Sequence, residues 1–359
     1  MCFGGTWRIP VASKLLDANF VDDLKSDGTY SELTFGREYE SIWGGGNINS
    51  YFSPTKFDES RTLEEAVWRS KPVNHITKKE RIILSYDVGR TSDQSSLVVL
   101  NLVPSTSATG TYVKQVVNLH NLDAVHFEQQ AVFIKKQILS YNAEKLVIDG
   151  NGLGIGLVDF LTIEQIDPET GATLPALGVD PEMDKKGTYK KFYRAPNPEY
   201  DEFIFIVKAT AAINSDIATL TSSQIESGKI QFLIDDQIKN DKLKRSAYGK
   251  SLTEEQRVKE LIPYKLTRIL REEMLNMKRK NGDNANVTLE RISPRMKKDM
   301  YSAFSYGLWY ARKLEMKNRN TQKGMKEMSF ATHANIKIGT SRMDAGVRDR
   351  FKGGGKFRR

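Results

Sequence analysis

Three aspartates in this chain stand where carboxylates can share a cation. Asp87 closes the apolar run Ile82-Ile83-Leu84-Ser85-Tyr86, Asp149 closes Lys145-Leu146-Val147-Ile148, and Asp299 lies near the start of a helical stretch late in the chain. Hard divalent cations take oxygen ligands, and Mg²⁺ is commonly held by one or two carboxylates together with water and a substrate phosphate. Two such ions roughly 4 Å apart can activate a water and stabilise the leaving oxygen of a phosphodiester. The chemistry predicted from this residue set is metal-assisted phosphodiester hydrolysis.

The surroundings of each acid bear on that chemistry. Asp87 is followed by Val88-Gly89-Arg90, where a glycine lets a phosphate backbone approach, and Asp93 beyond the turn is an auxiliary ligand candidate. Asp149 opens Asp149-Gly150-Asn151-Gly152-Leu153-Gly154, a loop with little side-chain bulk. Ser302 and Ala303 fall three and four residues after Asp299, on its face of the helix, and their small side chains permit close approach to a sheet. Met296, Met300, Phe304, Leu308 and Ala311 form the adjacent core stripe. Each acid alone reads equally as a turn aspartate or a solvated helix-start residue; their conjunction carries the reading.

The elements that must position these acids follow from the apolar pattern. Ile82–Tyr86, Ser96–Leu102 and Thr111–Leu119 read as three strands at the short spacing of an antiparallel meander. A helix follows over His126–Tyr141, then the strand ending at Asp149, and a second helix over Leu153–Ile163. Residues 164–200 read as loop, with Leu177-Gly178-Val179 a possible short strand. Ile204–Ile225 reads as helix, at least from Ala209, Lys229–Ile234 as strand, and Ser251–Lys280 as mainly helix. The last helix is placed over Pro294–Lys313, with Ser293 as N-cap and Pro294 at the first helical position. In such a mixed sheet the first and fourth strands can be neighbours, and a helix across their ends can bring the third acid.

Charge and punctuation divide the chain into three. Residues 1–75 are broken by Gly44-Gly45-Gly46, Pro54 and Pro72, with one helix expected at Leu63–Arg69, and read as an adaptor to residues 76–315 or as the end of something larger. Of 54 Lys/Arg and 45 Asp/Glu, twelve and three fall in residues 316–359, which leaves 42 of each in 1–315. The body is therefore neutral and the net +9 belongs to a glycine- and arginine-rich tail, expected to be flexible and suited to a polyanion. No apolar run approaches the roughly 20 residues that cross a bilayer, so no membrane partner is expected. Cys2 is the only cysteine, and the four histidines lack zinc-ligand spacing. The glycines at 150–156 do not match a dinucleotide fingerprint, and Ser227-Gly228-Lys229-Ile230 does not complete a P-loop.

Ile83-Leu84-Ser85-Tyr86-Asp87-Val88-Gly89, Leu146-Val147-Ile148-Asp149-Gly150-Asn151-Gly152-Leu153-Gly154 and Lys298-Asp299-Met300-Tyr301-Ser302-Ala303 together resemble the nuclease domain of the large terminase subunit of tailed bacteriophages, over about residues 80–315. The resemblance implies an RNase H-like α/β fold, a mixed central sheet flanked by helices, and an endonuclease that cuts concatemeric viral DNA during packaging. It implies Asp87, Asp149 and Asp299 as catalytic ligands of two Mg²⁺ or Mn²⁺ ions, with Asp93 as an auxiliary. Arg295, Lys297 and Lys298 are expected to contact the phosphates of double-stranded DNA. Implied partners are a terminase ATPase domain or chain, the small terminase subunit and the portal protein, in the cytoplasm of an infected bacterium. Segment 31–46 resembles the family's passage out of the ATPase, while the P-loop is missing, so an isolated nuclease portion or one product of a split gene is expected. The alternatives are another RNase H-like nuclease, such as a junction resolvase or transposase, and a non-catalytic docking module of the motor.

Overall fold

The computed structural model describes residues 6–17, 19–21, 39, 50–69, 80–89, 94–106, 110–150, 154–184, 186–280 and 286–320. These group into two compact units, one drawn from Met1–Val103 and Val113–Trp309, the other from Pro104–Tyr112 and Tyr310–Arg359. Asp93, most of segment 31–46 and the tail from residue 321 lie outside the described residues.

In chain order the helices are α1 (Arg8–Ala12), α2 (Pro54–Glu59), α3 (Phe127–Tyr141), α4 (Gly154–Leu161), α5 (Ala211–Glu226), α6 (Asp236–Arg245), α7 (Ala247–Ser251), α8 (Glu254–Leu275) and α9 (299–320). The strands are β1 (Arg61–Leu63), β2 (Arg81–Asp87), β3 (Gln94–Pro104), β4 (Tyr112–Asp123), β5 (Lys145–Asp149), β6 (Gln165–Ile166), β7 (Thr173–Leu174), β8 (Ile204–Val207), β9 (Ile230–Leu233), β10 (Met277–Arg279) and β11 (Leu289–Arg291). Seven of them form one sheet in the order β1-β9-β4-β3-β2-β5-β8. β3 runs antiparallel to β2, whereas β5 is parallel to both β2 and β8. A mixed central sheet flanked by helices is the α/β architecture expected from the sequence. No helix among the described residues is long and apolar enough to cross a membrane.

Register divides the central strands between two faces, because successive strand side chains point to opposite sides. Ser85 pairs with Val147 and Val147 with Phe205, so Ile83, Ser85, Asp87, Val147, Asp149 and Phe205 share one face. Leu84, Tyr86, Leu97, Val99, Leu146, Ile148, Ile204 and Ile206 share the other, where they pack with Ala131, Ile134 and Ile138 of α3 and Leu157, Val158 and Leu161 of α4. Both faces are covered, which is why these strands read as continuous apolar runs rather than as alternation. The helix α3 ends at Asn142, which takes the left-handed conformation at φ 48° and donates to the carbonyls of Ile138 and Leu139.

Several expectations are corrected. Leu63–Arg69 is not helical; β1 begins at Arg61 and pairs in parallel with β9, and residues 50–69 pack within the larger unit through Phe52 and Phe57, each 1% exposed. Ile204–Val207 is a strand, with helix only from Ala211, because this β-branched and aromatic run completes the sheet beside β5 while Thr210 caps α5. Val179 forms only an isolated parallel bridge to Ile204. The long helix α8, opened by a capping box of Thr253 and Gln256, stops at Leu275, and Met277–Arg279 turns into a hairpin with β11.

The last helix begins at residue 299 rather than at Pro294. Asn276 explains the shift: its side chain accepts from Ser293 N–H at 2.8 Å and donates to the Ser293 carbonyl at 3.0 Å, while its own carbonyl accepts from Ile292 N–H at 2.7 Å. Ser293 is thereby held as the exit of the hairpin and is not an N-cap. Met296 also falls outside the buried stripe, at 36% exposed, whereas Met300, Phe304, Leu308 and Ala311 are buried.

Candidate metal-binding site

β2 and β5 are parallel neighbours in register Tyr86 to Ile148, so Asp87 and Asp149 emerge side by side at the same edge and on the same face. Adjacent strands lie about 4.8 Å apart, which leaves two carboxylates with little water between them. Both side chains are partly buried. Gly89, two residues beyond Asp87, is held by a chain of hydrogen bonds. Tyr86 donates to Gln130 Oε1 at 2.8 Å, Gln130 Nε2 donates to the Gly89 carbonyl at 2.9 Å, and Ser95 Oγ accepts from Gly89 N–H at 3.0 Å.

Two glycines of the second loop are required by the protein's own packing. A Cβ on Gly150 would meet Ile206 Cγ2 at 2.3 Å, and one on Gly154 would meet the Asp149 carbonyl oxygen at 1.8 Å. The start of α4 therefore sits directly against the backbone of Asp149. At these two positions the lack of a side chain lets the chain seat the acid; Asn151, Gly152 and Leu153 lie outside the described residues.

Across this edge α9 packs on the face that carries the acids. Ser85 Oγ donates to the Ala303 carbonyl at 2.6 Å, and a Cβ on Gly307 would meet Leu100 Cδ1 at 2.5 Å and Ser85 Cβ at 3.0 Å. Asp87 is two strand residues beyond Ser85, roughly 6.6 Å of travel, and Asp299 is four helical residues before Ala303, roughly 6 Å. Asp299 is near enough to act on Asp87. Their electrostatics agree: the Asp87 carboxyl is pushed well above the usual carboxylate range, first by burial and then by Asp149 and Asp299, with Lys298 opposing.

Two further residues face this group. Glu273, at the end of α8 and 2% exposed, accepts from Tyr301 N–H at 2.9 Å and has its carboxyl pushed up to about 7, chiefly by burial and then by Asp299, against the opposing effect of its backbone hydrogen bonds. Tyr306 is a hydrogen-bonding partner of Asp149, and its hydroxyl is held protonated by burial and by Asp149 and Asp87. Sequence spacing has no signal for Glu273, one of two consecutive glutamates in a charged helix. Tyr306 lies seven residues after Asp299, on the same helical face, and that spacing could have marked it.

Arg295, Lys297 and Lys298 stand exposed on the segment entering α9. Lys298 is near enough to favour the charged form of Asp87, and Lys297 that of Glu273. Among the described residues, no group of three or more Asp, Glu, His or Cys side chains is placed to hold a metal ion as it stands. The donor chemistry nevertheless suits a hard divalent cation, since the group is all oxygen and Asp149 and Asp299 raise the proton affinity of Asp87 beyond the effect of its burial.

No family profile matches the chain, and no curated relative matches it. Among solved structures it is similar to the large terminase nuclease from thermophilic phage G20c with bound magnesium, at 14% identity and a TM-score of 0.41 over 73% of this chain and 97% of that one. It is similar to the Thermus phage P74-26 large terminase nuclease domain, at 14% identity and 0.38 over 71% and 92%. The nuclease domain of the large terminase subunit gp2 of bacterial virus Sf6 aligns at 10% identity and 0.38 over 72% and 98%.

Proposed function

We propose that this protein is a metal-dependent DNA endonuclease of the large terminase type, cutting concatemeric viral DNA during genome packaging. The single observation that carries this reading is that Asp87 and Asp149 end adjacent parallel strands on one face while Asp149 and Asp299 both raise the proton affinity of Asp87. Sites at the carboxyl ends of parallel strands are where open α/β sheets present ligands. Asp87, Asp149 and Asp299 would hold two Mg²⁺ or Mn²⁺ ions, which when bound supply a water activated near neutral pH and charge stabilisation at the leaving oxygen.

The chain's own residues do the rest. Tyr306 orients Asp149 through its hydroxyl. Lys298, Lys297 and Arg295, exposed before α9, would bind phosphates flanking the scissile bond, with Asp93 an auxiliary acid. Phosphate contacts position a duplex without reading its bases, so cleavage with little sequence preference is expected. Double-stranded DNA is the substrate, and a terminase ATPase, the small subunit and the portal are the partners this role needs, in the cytoplasm of the infected cell.

The test is cleavage of supercoiled plasmid with Mg²⁺ or Mn²⁺. Asp87→Asn, Asp149→Asn and Asp299→Asn should each lose cleavage while keeping a cooperative melt. Full activity in any two of them overturns the triad, and a marked preference for branched junctions over linear duplex would replace this reading with that of a resolvase.

A further inference from the structure

We propose that Glu273 is a positioning residue that anchors the first turn of α9 from the end of α8 and so sets Asp299 opposite Asp87; this rests on the nuclease reading above. A helix start leaves its first backbone N–H groups without partners, and a side-chain oxygen at the N-cap normally takes one of them. The N-cap of α9 is Lys298, whose carbonyl accepts from Ser302 N–H at 2.8 Å. A lysine side chain has no acceptor. The missing function arrives from another helix: Glu273 Oε2 takes the Tyr301 N–H at 2.9 Å, and its carboxylate also bonds the Met300 N–H.

This is a costly way to cap a helix. Glu273 is 2% exposed and sits beside Asp299, so it adds a fourth carboxylate to an acidic, partly buried group. A serine at position 298 would cap more simply. What the distant carboxylate adds is registry. α8 is itself tied down, since Arg271 Nε and Nη2 each donate to Asp58 at 2.7 Å and the Tyr264 hydroxyl donates to the Glu64 carbonyl at 2.8 Å. The start of α9 is therefore fixed to a braced helix as well as to Ser85 on the sheet. Supporting hydrogen bonds of this kind typically change metal affinity by about 10–100-fold when removed.

The experiment is a Mn²⁺ titration of the DNA-free full chain by calorimetry, alongside plasmid cleavage and a thermal melt. Glu273→Ala should weaken Mn²⁺ binding by about 10-fold or more, with cleavage moved to higher Mn²⁺. Glu273→Gln keeps an acceptor at the same reach and should restore both to near wild type. Glu273→Asp keeps the charge but is one methylene shorter, so it should bind Mn²⁺ more weakly; it serves in place of the alanine variant if that fails to fold. Wild-type Mn²⁺ affinity in Glu273→Ala, or Glu273→Gln as impaired as Glu273→Ala, overturns the proposal. Asp299→Asn separates the two readings. If it abolishes binding and cleavage while Glu273→Ala changes neither, only this inference fails; if Asp299→Asn changes nothing, the nuclease reading itself fails.

Discussion

The Ser85 hydroxyl on β2 donates to the carbonyl oxygen of Ala303 in α9, 218 residues later, at 2.6 Å. One step from this contact along each element lie Asp87 and Asp299. The strand and the helix run away from the contact by nearly equal distances, so the separation of the two acids depends on how closely α9 lies against the sheet.

That dependence can be tested at Gly307, where an added methyl would meet Leu100 Cδ1 at 2.5 Å and Ser85 Cβ at 3.0 Å. Gly307→Ala should destabilise the protein by roughly 1–3 kcal/mol through overpacking. It should also lower cleavage by more than the unfolded fraction accounts for, because lifting the helix moves Asp299. Urea melts and cleavage rates on the same preparation measure the two effects; a full loss of stability with specific activity intact would contradict the link.

The acids should trade stability for activity. Asp87 is destabilised in its charged form by Asp149 and Asp299. In EDTA, Asp149→Asn should raise the melting temperature, by on the order of 1 kcal/mol or a few degrees, while removing cleavage. Added Mg²⁺ should raise the melting temperature of wild type but not of this variant.

Tyr306 should matter for Asp149 more than for the fold. Tyr306→Phe keeps the ring and removes the hydroxyl that partners Asp149. Stability should change by no more than about 1–2 kcal/mol, as for one hydrogen bond, whereas cleavage at limiting Mn²⁺ should fall several-fold. A Mn²⁺ titration of cleavage distinguishes weakened metal binding from a lower plateau.

Gly154 makes a stronger prediction. Its Cβ would overlap the Asp149 carbonyl oxygen at 1.8 Å, an unyielding backbone atom. Gly154→Ala should cost more than about 2 kcal/mol and abolish cleavage, despite alanine being the better helix former. Equal stability in a denaturant melt would show that α4 does not seat Asp149 in this way.

His120 gives the fold a pH dependence of known sign. Burial lowers its pKa from 6.5 to about 4, and its Nε2 has no partner among the described residues. An unfolded chain therefore binds a proton between those values that the folded chain refuses. The stability held above pH 6.5 is lost as pH falls toward 4, by roughly 2 kcal/mol at pH 5. The unfolding free energy of His120→Gln should fall by correspondingly less between pH 7.5 and pH 5.

Asp87 and Asp149 were legible because each ends a run of apolar residues, and a strand buried on both faces shows itself as such a run. The order of strands and helices, and the neutral body with its basic tail, were legible on the same local grounds. The adjacency of β2 and β5 and the place where α9 begins were decided by pairing and by Asn276, neither of which has a local signature. Ile204–Val207 merged with the helix that follows it because apolar composition alone does not separate a buried strand from a helical turn. Glu273 and Tyr306 were decided only in three dimensions: a carboxylate becomes a cap, and a hydroxyl a partner, through distances that chain separation does not encode. The sequence by itself determined which acids terminate which elements. Only packing α9 onto the sheet decided that Asp299 acts on Asp87.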